Sequence, residues 1–251
     1  MLKPVPSDLA HLRQHIATLD GSLHASGALP FGVDAIDRHL PGGGLALGAV
    51  HEIAGRDGGG VDAAAAALFA AGIAARTHGQ ILWCVTQSDL FAPGLAQVGL
   101  TPDRVIYVEA RDEKSVLACC EEGLRHGGVT AVVGEVAKLS MMVSRRLQLA
   151  AEAFGTLGLI VRRWKQERGA ADYGQPTAAT TRWRISATPS APLPVAGIGR
   201  ARWHLELLRC KGGHSAEFDV EACDGKTCLA LAAPLVHRPA QASDAQLRAA
   251  S

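Results

Sequence analysis

The stretch FGVDAIDRHLPGGGLALGAVHEIAGRDGGGVD, residues 31–62, decides the fold. Its second half predicts a strand over residues 49–54, a glycine-rich turn over residues 55–60 and an alanine-rich helix from about Val61. Backbone N–H groups at a helix N-terminus point outward, and the helix dipole favours negative charge there. The stretch therefore has the layout of a phosphate-binding loop.

The glycines have the spacing of a P-loop, but the two side chains that complete a P-loop are missing. The pattern continues from Gly60 with Lys and then Ser or Thr, and here those positions hold Val61 and Asp62. Valine neither neutralises phosphates nor holds magnesium, and the aspartate repels a triphosphate. We expect no cofactor at this degenerate phosphate loop, whose residues are Gly55, Gly58, Gly59, Gly60, Val61 and Asp62.

Several separated runs resemble one protein family in order and spacing. Residues 31–34 (FGVD), 41–45 (PGGGL) and 51–53 (HEI) are similar to the first segment of RecA-type recombinases. Four further runs resemble the inducible mutagenesis protein A family, whose members are RecA-like. These runs are LWC at 82–84, DLFAPGL at 89–95, EEGLR at 121–125 and SRRLQLA at 144–150. The resemblance covers about residues 31–225 and implies an α/β fold of the RecA-like, P-loop NTPase type.

The resemblance also implies a function and partners. It implies an accessory protein of SOS-induced translesion DNA synthesis that is not an enzyme. The implied direct partners are RecA and an inactive Y-family polymerase homologue, and an error-prone replicative-type DNA polymerase is an indirect partner. Two alternatives stay open: an ATP-dependent recombinase-like motor with an unorthodox site, and a DNA-binding module without ATPase activity.

The hydrophobic pattern agrees with this fold class. Apolar strands at residues 80–86, 105–109, 129–133 and 156–161 alternate with helices at 63–77, 90–98, 113–126 and 140–154, which predicts a mostly parallel sheet flanked by helices. Residues 202–209 and 217–221 predict an antiparallel C-terminal extension, with Trp203, Leu205 and Leu207 on one face. We predict an N-terminal helix and linker over 1–30, a core over 31–233 and a flexible tail over 234–251.

Two positions bear on catalysis. RecA-type ATPases end a core strand with a carboxylate, where this chain has Gly134 followed by Glu135. Alternation along a strand sends these two side chains to opposite faces, so Glu135 is a poor substitute unless a bulge turns it. In RecA-type ATPases a glutamate after another core strand activates the attacking water, and the matching position in this chain is near Ser88. Asp89 could serve as a base, but we expect it to cap a helix that begins at Leu90.

The N-terminal segment has one helical stripe of apolar residues, Leu9, Leu12 and Ile16. A helix in this place packs on the next protomer in RecA-type proteins. The resemblance therefore suggests partner binding through these three residues, and the alternative is a helix folded on its own domain.

Positive charge is concentrated towards the C-terminus. Residues 160–211 hold ten Lys or Arg and three Asp or Glu, whereas net charge over the whole chain is +1. Within this region the segment from Arg162 takes the place of a DNA-binding loop of RecA-type proteins. Phosphate contacts or base stacking with single-stranded DNA are predicted for Arg162, Arg163, Trp164, Lys165 and Arg168, with Tyr173 as a further stacking candidate. A surface loop without a ligand is the alternative.

Composition limits the remaining choices. No apolar run is long enough to cross a bilayer, and the N-terminus lacks the apolar core of a secretory signal. We therefore expect a cytoplasmic protein with no membrane partner and with reduced thiols. Cys210, His214, Cys223 and Cys228 have no common zinc-ligand spacing, so no metal site is expected.

Overall fold

Helices and strands alternate through most of the molecule. The computed structural model describes residues 27–57, 60–164, 173–193, 197 and 199–232. Its strands are β1 (Ala28–Leu29), β2 (Leu45–Ala46), β3 (Val50–Gly55), β4 (Ile81–Val85), β5 (Val105–Glu109), β6 (Ala131–Val136), β7 (Leu157–Arg162), β8 (Thr181–Thr188), β9 (Arg202–Cys210), β10 (Ala216–Glu221) and β11 (Ala230–Leu231). Its α-helices are α1 (Asp34–Asp37), α2 (Gly60–Ala75), α3 (Ala92–Gln97), α4 (Glu113–His126) and α5 (Met141–Phe154).

Nine of these strands form one sheet. Their order is β11-β10-β9-β8-β3-β7-β6-β4-β5. The strands from β8 to β5 in that order pair in parallel, whereas β9, β10 and β11 extend the sheet by antiparallel pairing. The predicted α/β architecture, mostly parallel with an antiparallel C-terminal extension, is confirmed.

Two apolar cores cover the two faces of the sheet. The larger one contains α2 and α3 together with Trp83, Trp183 and Trp203, and the smaller one contains α4 and α5. Helix α2 is rich in alanine and is buried along most of its length, which lets it lie close to the sheet. As predicted, Trp203 shares its buried face with Leu205 and Leu207.

Caps set the ends of the two helices on the second face. Asp112 accepts a hydrogen bond from the Ser115 N–H at 2.8 Å before α4, and Ser140 accepts one from the Val143 N–H at 3.3 Å before α5. Both helices end at a glycine with positive φ, Gly127 and Gly155 in turn. No helix in the described part of the chain is both long enough and apolar enough to cross a membrane.

The predicted N-terminal helix and the predicted tail fall mainly on residues that are not described. Leu9, Leu12 and Ile16 lie outside the described residues, as do residues 233–251. The end of the predicted linker is described, and there Ala28 pairs with Ala46 in the antiparallel β1–β2 ribbon.

Candidate functional site at the glycine loop

The glycine loop joins the end of β3 to the start of α2. Gly58 and Gly59, at its tip, lie outside the described residues. A Cβ on Gly55 would come within 2.7 Å of the Asp62 carbonyl carbon, so the strand and the helix approach each other too closely for any other residue. Gly60 has open space beside it. The packing of β3 against α2 therefore requires a glycine at position 55.

The carboxylate of Asp62 accepts hydrogen bonds from one backbone amide of its own loop and one of β8. It accepts a hydrogen bond from the backbone N–H of Asp57 at 3.4 Å and a second one from the N–H of Ala187, on β8, at 2.8 Å. The Asp57 amide lies in the glycine loop, the segment whose backbone N–H groups surround the phosphates in a P-loop. Val61, at the position of the P-loop lysine, is 71% exposed.

The arginine in the loop is engaged by a glutamate on the antiparallel extension. Arg56 donates to Glu206 at 3.2 Å, and Arg184 donates to both oxygens of the same carboxylate at 2.7 and 2.6 Å. The bonds from Arg184 lower the pKa of Glu206. Arg56 therefore already has an anionic partner beside the loop.

Gly134 stands where RecA-type ATPases have the strand-end carboxylate, and the Cys120 thiol packs against it. A Cβ on Gly134 would lie 2.5 Å from the Cys120 Sγ, so the place of a side chain is already filled. Residues 134 and 135 do point to opposite faces, as predicted, but Glu135 faces α2, the helix of the glycine loop. It accepts hydrogen bonds from Trp83 Nε1 at 2.8 Å and Arg163 Nη1 at 2.6 Å. Glu135 therefore differs from a metal-binding carboxylate because Trp83 and Arg163 already bind its oxygens, and not because of the face it points to.

Asp89 does not cap a helix, and that prediction is wrong. Helix α3 begins at Ala92 with Phe91 as its N-cap residue. Asp89 instead accepts two hydrogen bonds from Arg163, at 2.8 and 2.7 Å. These bonds raise the pKa of the Arg163 guanidinium. The candidate base is thus held in an ion pair that also includes Glu135.

The structure places the side chain of Arg162, one of the residues predicted to contact DNA, inside the fold. Its side chain is 0% exposed and donates to Glu52 Oε1 at 3.1 Å and to the carbonyl oxygen of Ala137. Tyr173, the further stacking candidate, is buried between the guanidinium groups of Arg162 and Arg182, with 5.7 and 5.0 Å between each carbon Cζ and the ring centre. Both side chains are buried.

The other predicted DNA-binding residues have different surroundings. Arg163 is 34% exposed and ion-paired, and Trp164 is partly buried with its ring 5.7 Å from that of Tyr173. Lys165 and Arg168 lie outside the described residues. A role of these four residues in DNA binding stays a prediction.

A buried ionic cluster, which sequence analysis missed, holds the segment that carries Arg162. Glu52, fully buried, accepts from Arg162, from Arg182 Nε at 2.6 Å and from Thr177 Oγ1 at 3.1 Å. Arg182 also donates to the Tyr173 carbonyl at 2.7 Å. The cluster ties β7 and β8 to β3 on the face of α5. The sequence signal was a glutamate inside an otherwise buried central strand.

Potential metal ligands gather in one place within the part of the chain that the structure describes. His204, Glu206 and Glu217 form that group. Glu206 is engaged by Arg184 and Arg56, which compete with a cation for its oxygens. Cys210, Cys223 and Cys228 are free thiols.

Comparison with known proteins agrees with this geometry. The RadB recombinase has a similar structure, with a TM-score of 0.54 and 14% sequence identity over 77% of this chain and 95% of that chain. This likeness shows a RecA-like fold. No family model matches the sequence.

Two curated relatives are much more similar in sequence. Protein ImuA from Caulobacter vibrioides, strain NA1000 / CB15N, is 38% identical over 204 residues, which cover 77% of this chain and 83% of the relative. Protein ImuA from a second strain, ATCC 19089 / CIP 103742 / CB 15, matches to the same extent. The matched runs, the RecA-like sheet and this identity over most of both chains lead to one conclusion: the chain belongs to the ImuA family.

Proposed function

We propose that this protein is a catalytically inactive RecA-like accessory protein of SOS-induced translesion DNA synthesis, acting in the cytoplasm. Membership of the ImuA family supports a role in damage-induced mutagenesis. The main support for an inactive site is one hydrogen bond: the carboxylate of Asp62 accepts from the Asp57 amide in the loop where a phosphate would bind.

The rest of the site supports the same proposal. A P-loop ATPase needs a lysine on the phosphates, a hydroxyl and a carboxylate on the metal side, and a group that orients water. Here Val61 is solvent-exposed, Gly134 is packed on Cys120, and Asp89 is bound by Arg163. Loss of one group leaves partial function in many enzymes, but loss of all four removes phosphate binding, metal binding and water activation together.

ATP turnover tests the inactive site. We expect no turnover above the background of a buffer control, with or without single-stranded DNA. The purified full chain is assayed beside a Gly60→Val variant, in which the loop is blocked. DNA-stimulated hydrolysis that is lost in Gly60→Val would refute the proposal, because it would assign the activity to this loop.

We propose that the protein is an adaptor that binds RecA and an inactive Y-family polymerase homologue. Through this homologue it acts with an error-prone replicative-type polymerase. A RecA-like surface without its own nucleotide switch is suited to constitutive binding. Pull-down of each purified partner with the full chain tests this directly. We expect both to associate at physiological salt, and association with neither would contradict the adaptor role.

Single-stranded DNA is a second possible partner. The half-exposed Arg163 and Trp164 support it, together with the basic residues Lys165 and Arg168 in the sequence. We propose weak, salt-sensitive binding, because Arg162 is buried and Arg163 is already ion-paired. Fluorescence anisotropy with a labelled oligonucleotide measures the salt dependence. Binding that is unchanged by Lys165→Ala with Arg168→Ala would exclude this segment as the contact.

A further inference from the structure

Exposed apolar side chains are concentrated on helix α5. In the described part of the chain eleven large apolar side chains are exposed, and four of them, Met141, Met142, Leu149 and Phe154, belong to this helix of 14 residues. Met142 is 72% exposed and Leu149 is 56% exposed. These two residues are seven positions apart, which is close to two helical turns, so their side chains point in nearly the same direction.

The inner face of α5 is already covered. Leu147, Ala150 and Ala151 are buried in the smaller core, against the sheet. The outer face carries Met142 and Leu149, and Ala153 beside them is exposed as well. The helix therefore has a second apolar stripe that no residue in the described part of the chain covers. Exposed apolar surface of this kind marks binding sites for proteins.

Charged residues lie on both sides of the exposed stripe. Arg146, three positions before Leu149, turns towards α4 and donates to Glu121. Arg145 is four positions before Leu149 and Glu152 is three positions after it, so helical geometry places both on the other side of the stripe, away from α4. That flank of α5 thus carries one positive and one negative side chain.

These two charges are not neutralised within the part of the chain that the structure describes. Arg145 and Glu152 are both exposed, and Glu152 accepts a hydrogen bond from the neutral side-chain amide of Gln148 at 2.9 Å. They lie about 10.5 Å apart along the helix axis, since each residue adds about 1.5 Å, so they cannot pair with each other. Each is therefore available to an opposite charge on another molecule.

The arrangement is complementary to itself under a two-fold axis. When two copies of a helix pair antiparallel about such an axis, the same flank of each helix meets, and a residue before the axis faces one that is equally far after it. If Arg145 faces Glu152 of a second copy, the symmetry also pairs Glu152 with Arg145 of that copy. The axis then falls between Gln148 and Leu149, so the Leu149 side chains of the two copies meet at the centre.

We propose that the outer face of α5 is a homodimer interface, in which two copies of this chain pair their α5 helices antiparallel. The two Leu149 side chains meet at the axis, Met142 of each copy covers the C-terminal turn of the other α5, and two Arg145–Glu152 ion pairs lie beside them. A self-complementary patch closes into a two-fold dimer, the commonest form of soluble oligomer. The inference goes beyond the adaptor function proposed above and does not depend on it.

Sedimentation velocity of the purified full chain tests the interface. We expect a reversible dimer of the 26.1 kDa chain, whose fraction rises with protein concentration between about 1 and 100 µM. Leu149→Glu places two like charges at the axis and should weaken dimerisation at least about tenfold. Phe91→Glu is the matched control, because it introduces the same charge at an exposed apolar residue outside α5, and it should leave dimerisation unchanged.

Charge reversals test the register of the two helices. Arg145→Glu and Glu152→Arg, each alone, set like charges against each other in both pairs, and each should weaken dimerisation at least about tenfold. The dimer should return when both substitutions are present in one chain. An equimolar mixture of the two single variants should form a mixed dimer, because both pairs then join opposite charges again.

Several results would overturn the interface. They are a chain that stays monomeric up to about 100 µM, dimerisation that is unchanged in Leu149→Glu, or charge reversals that neither the double variant nor the mixture rescues. Circular dichroism verifies that each variant is folded. The pull-down with RecA and the polymerase homologue does not require this dimer, so a monomeric chain with those associations intact refutes the interface alone.

Discussion

Replacing Glu52 by glutamine should cost far more stability than the same change at a second glutamate with two arginine partners. Glu52 is fully buried, and its partners Arg162 and Arg182 have side chains that are 0% and 9% exposed. Glu52→Gln removes the charged carboxylate that accepts hydrogen bonds from both buried guanidinium groups. Breaking a buried ion pair in this way costs about 3–5 kcal/mol.

Glu121 provides the matched control. It is also nearly buried and also binds two arginines, but the side chains of Arg125 and Arg146 are 55% and 60% exposed. After Glu121→Gln these guanidinium groups remain hydrated, so the expected loss is about 1 kcal/mol or less. The contrast tests burial of the cations, because the substitution is the same and each glutamate binds two arginines.

Urea unfolding followed by tryptophan fluorescence and circular dichroism measures both variants. With a slope of about 2–3 kcal/mol per M, the Glu52→Gln midpoint should fall by roughly 1–2 M and the Glu121→Gln midpoint by about 0.5 M or less. Salt near 1 M should remove the Glu121 effect and leave most of the Glu52 effect, because buried charges are screened little. Equal losses in the two variants would refute the reasoning.

Three further predictions concern pH and packing. His51 is fully buried, and burial lowers its pKa to about 4. Below pH 6.5 the unfolded chain therefore binds a proton at this histidine that the folded chain does not bind. The free energy of unfolding should fall by about 2 kcal/mol as pH decreases from 7 to 5, and by less in His51→Gln. Gly134→Ala should destabilise by about 1–3 kcal/mol in chemical denaturation because of Cys120, and Cys120→Ala should relieve this loss. Arg163→Met should cost about 1–3 kcal/mol, because Glu135 is left buried, and rescue of the urea midpoint by Arg163→Lys would show that the charge matters.

The sheet could be predicted because its strands and helices are encoded locally. Strand β5 and helix α4 have the predicted bounds, 105–109 and 113–126, since apolar periodicity lies within each element and Gly127 directly follows α4. The position of Leu205 on the buried face of β9 followed from simple alternation. The glycine loop between β3 and α2 could be located because its pattern is contiguous in the chain.

The ionic clusters could not be predicted in the same way. Glu52 lies 110 residues from Arg162 and 130 from Arg182, and Asp89 lies 74 from Arg163. Such pairs depend on the order of strands in the sheet, which local pattern does not specify. From the sequence, the positive charge near Arg162 therefore indicated a nucleic-acid contact. In the structure, several of these arginines form ion pairs with carboxylates inside the fold.

Equilibrium binding of Mg-ATP tests the central claim most directly. The claim is that this loop does not bind phosphate, since Asp62 puts a carboxylate on an amide of the loop itself. Titration of the full chain with a fluorescent ATP analogue and magnesium should show no saturable binding up to about 1 mM. Saturable, magnesium-dependent binding below about 100 µM, competed by unlabelled ATP and lost in Gly60→Val, would contradict the account.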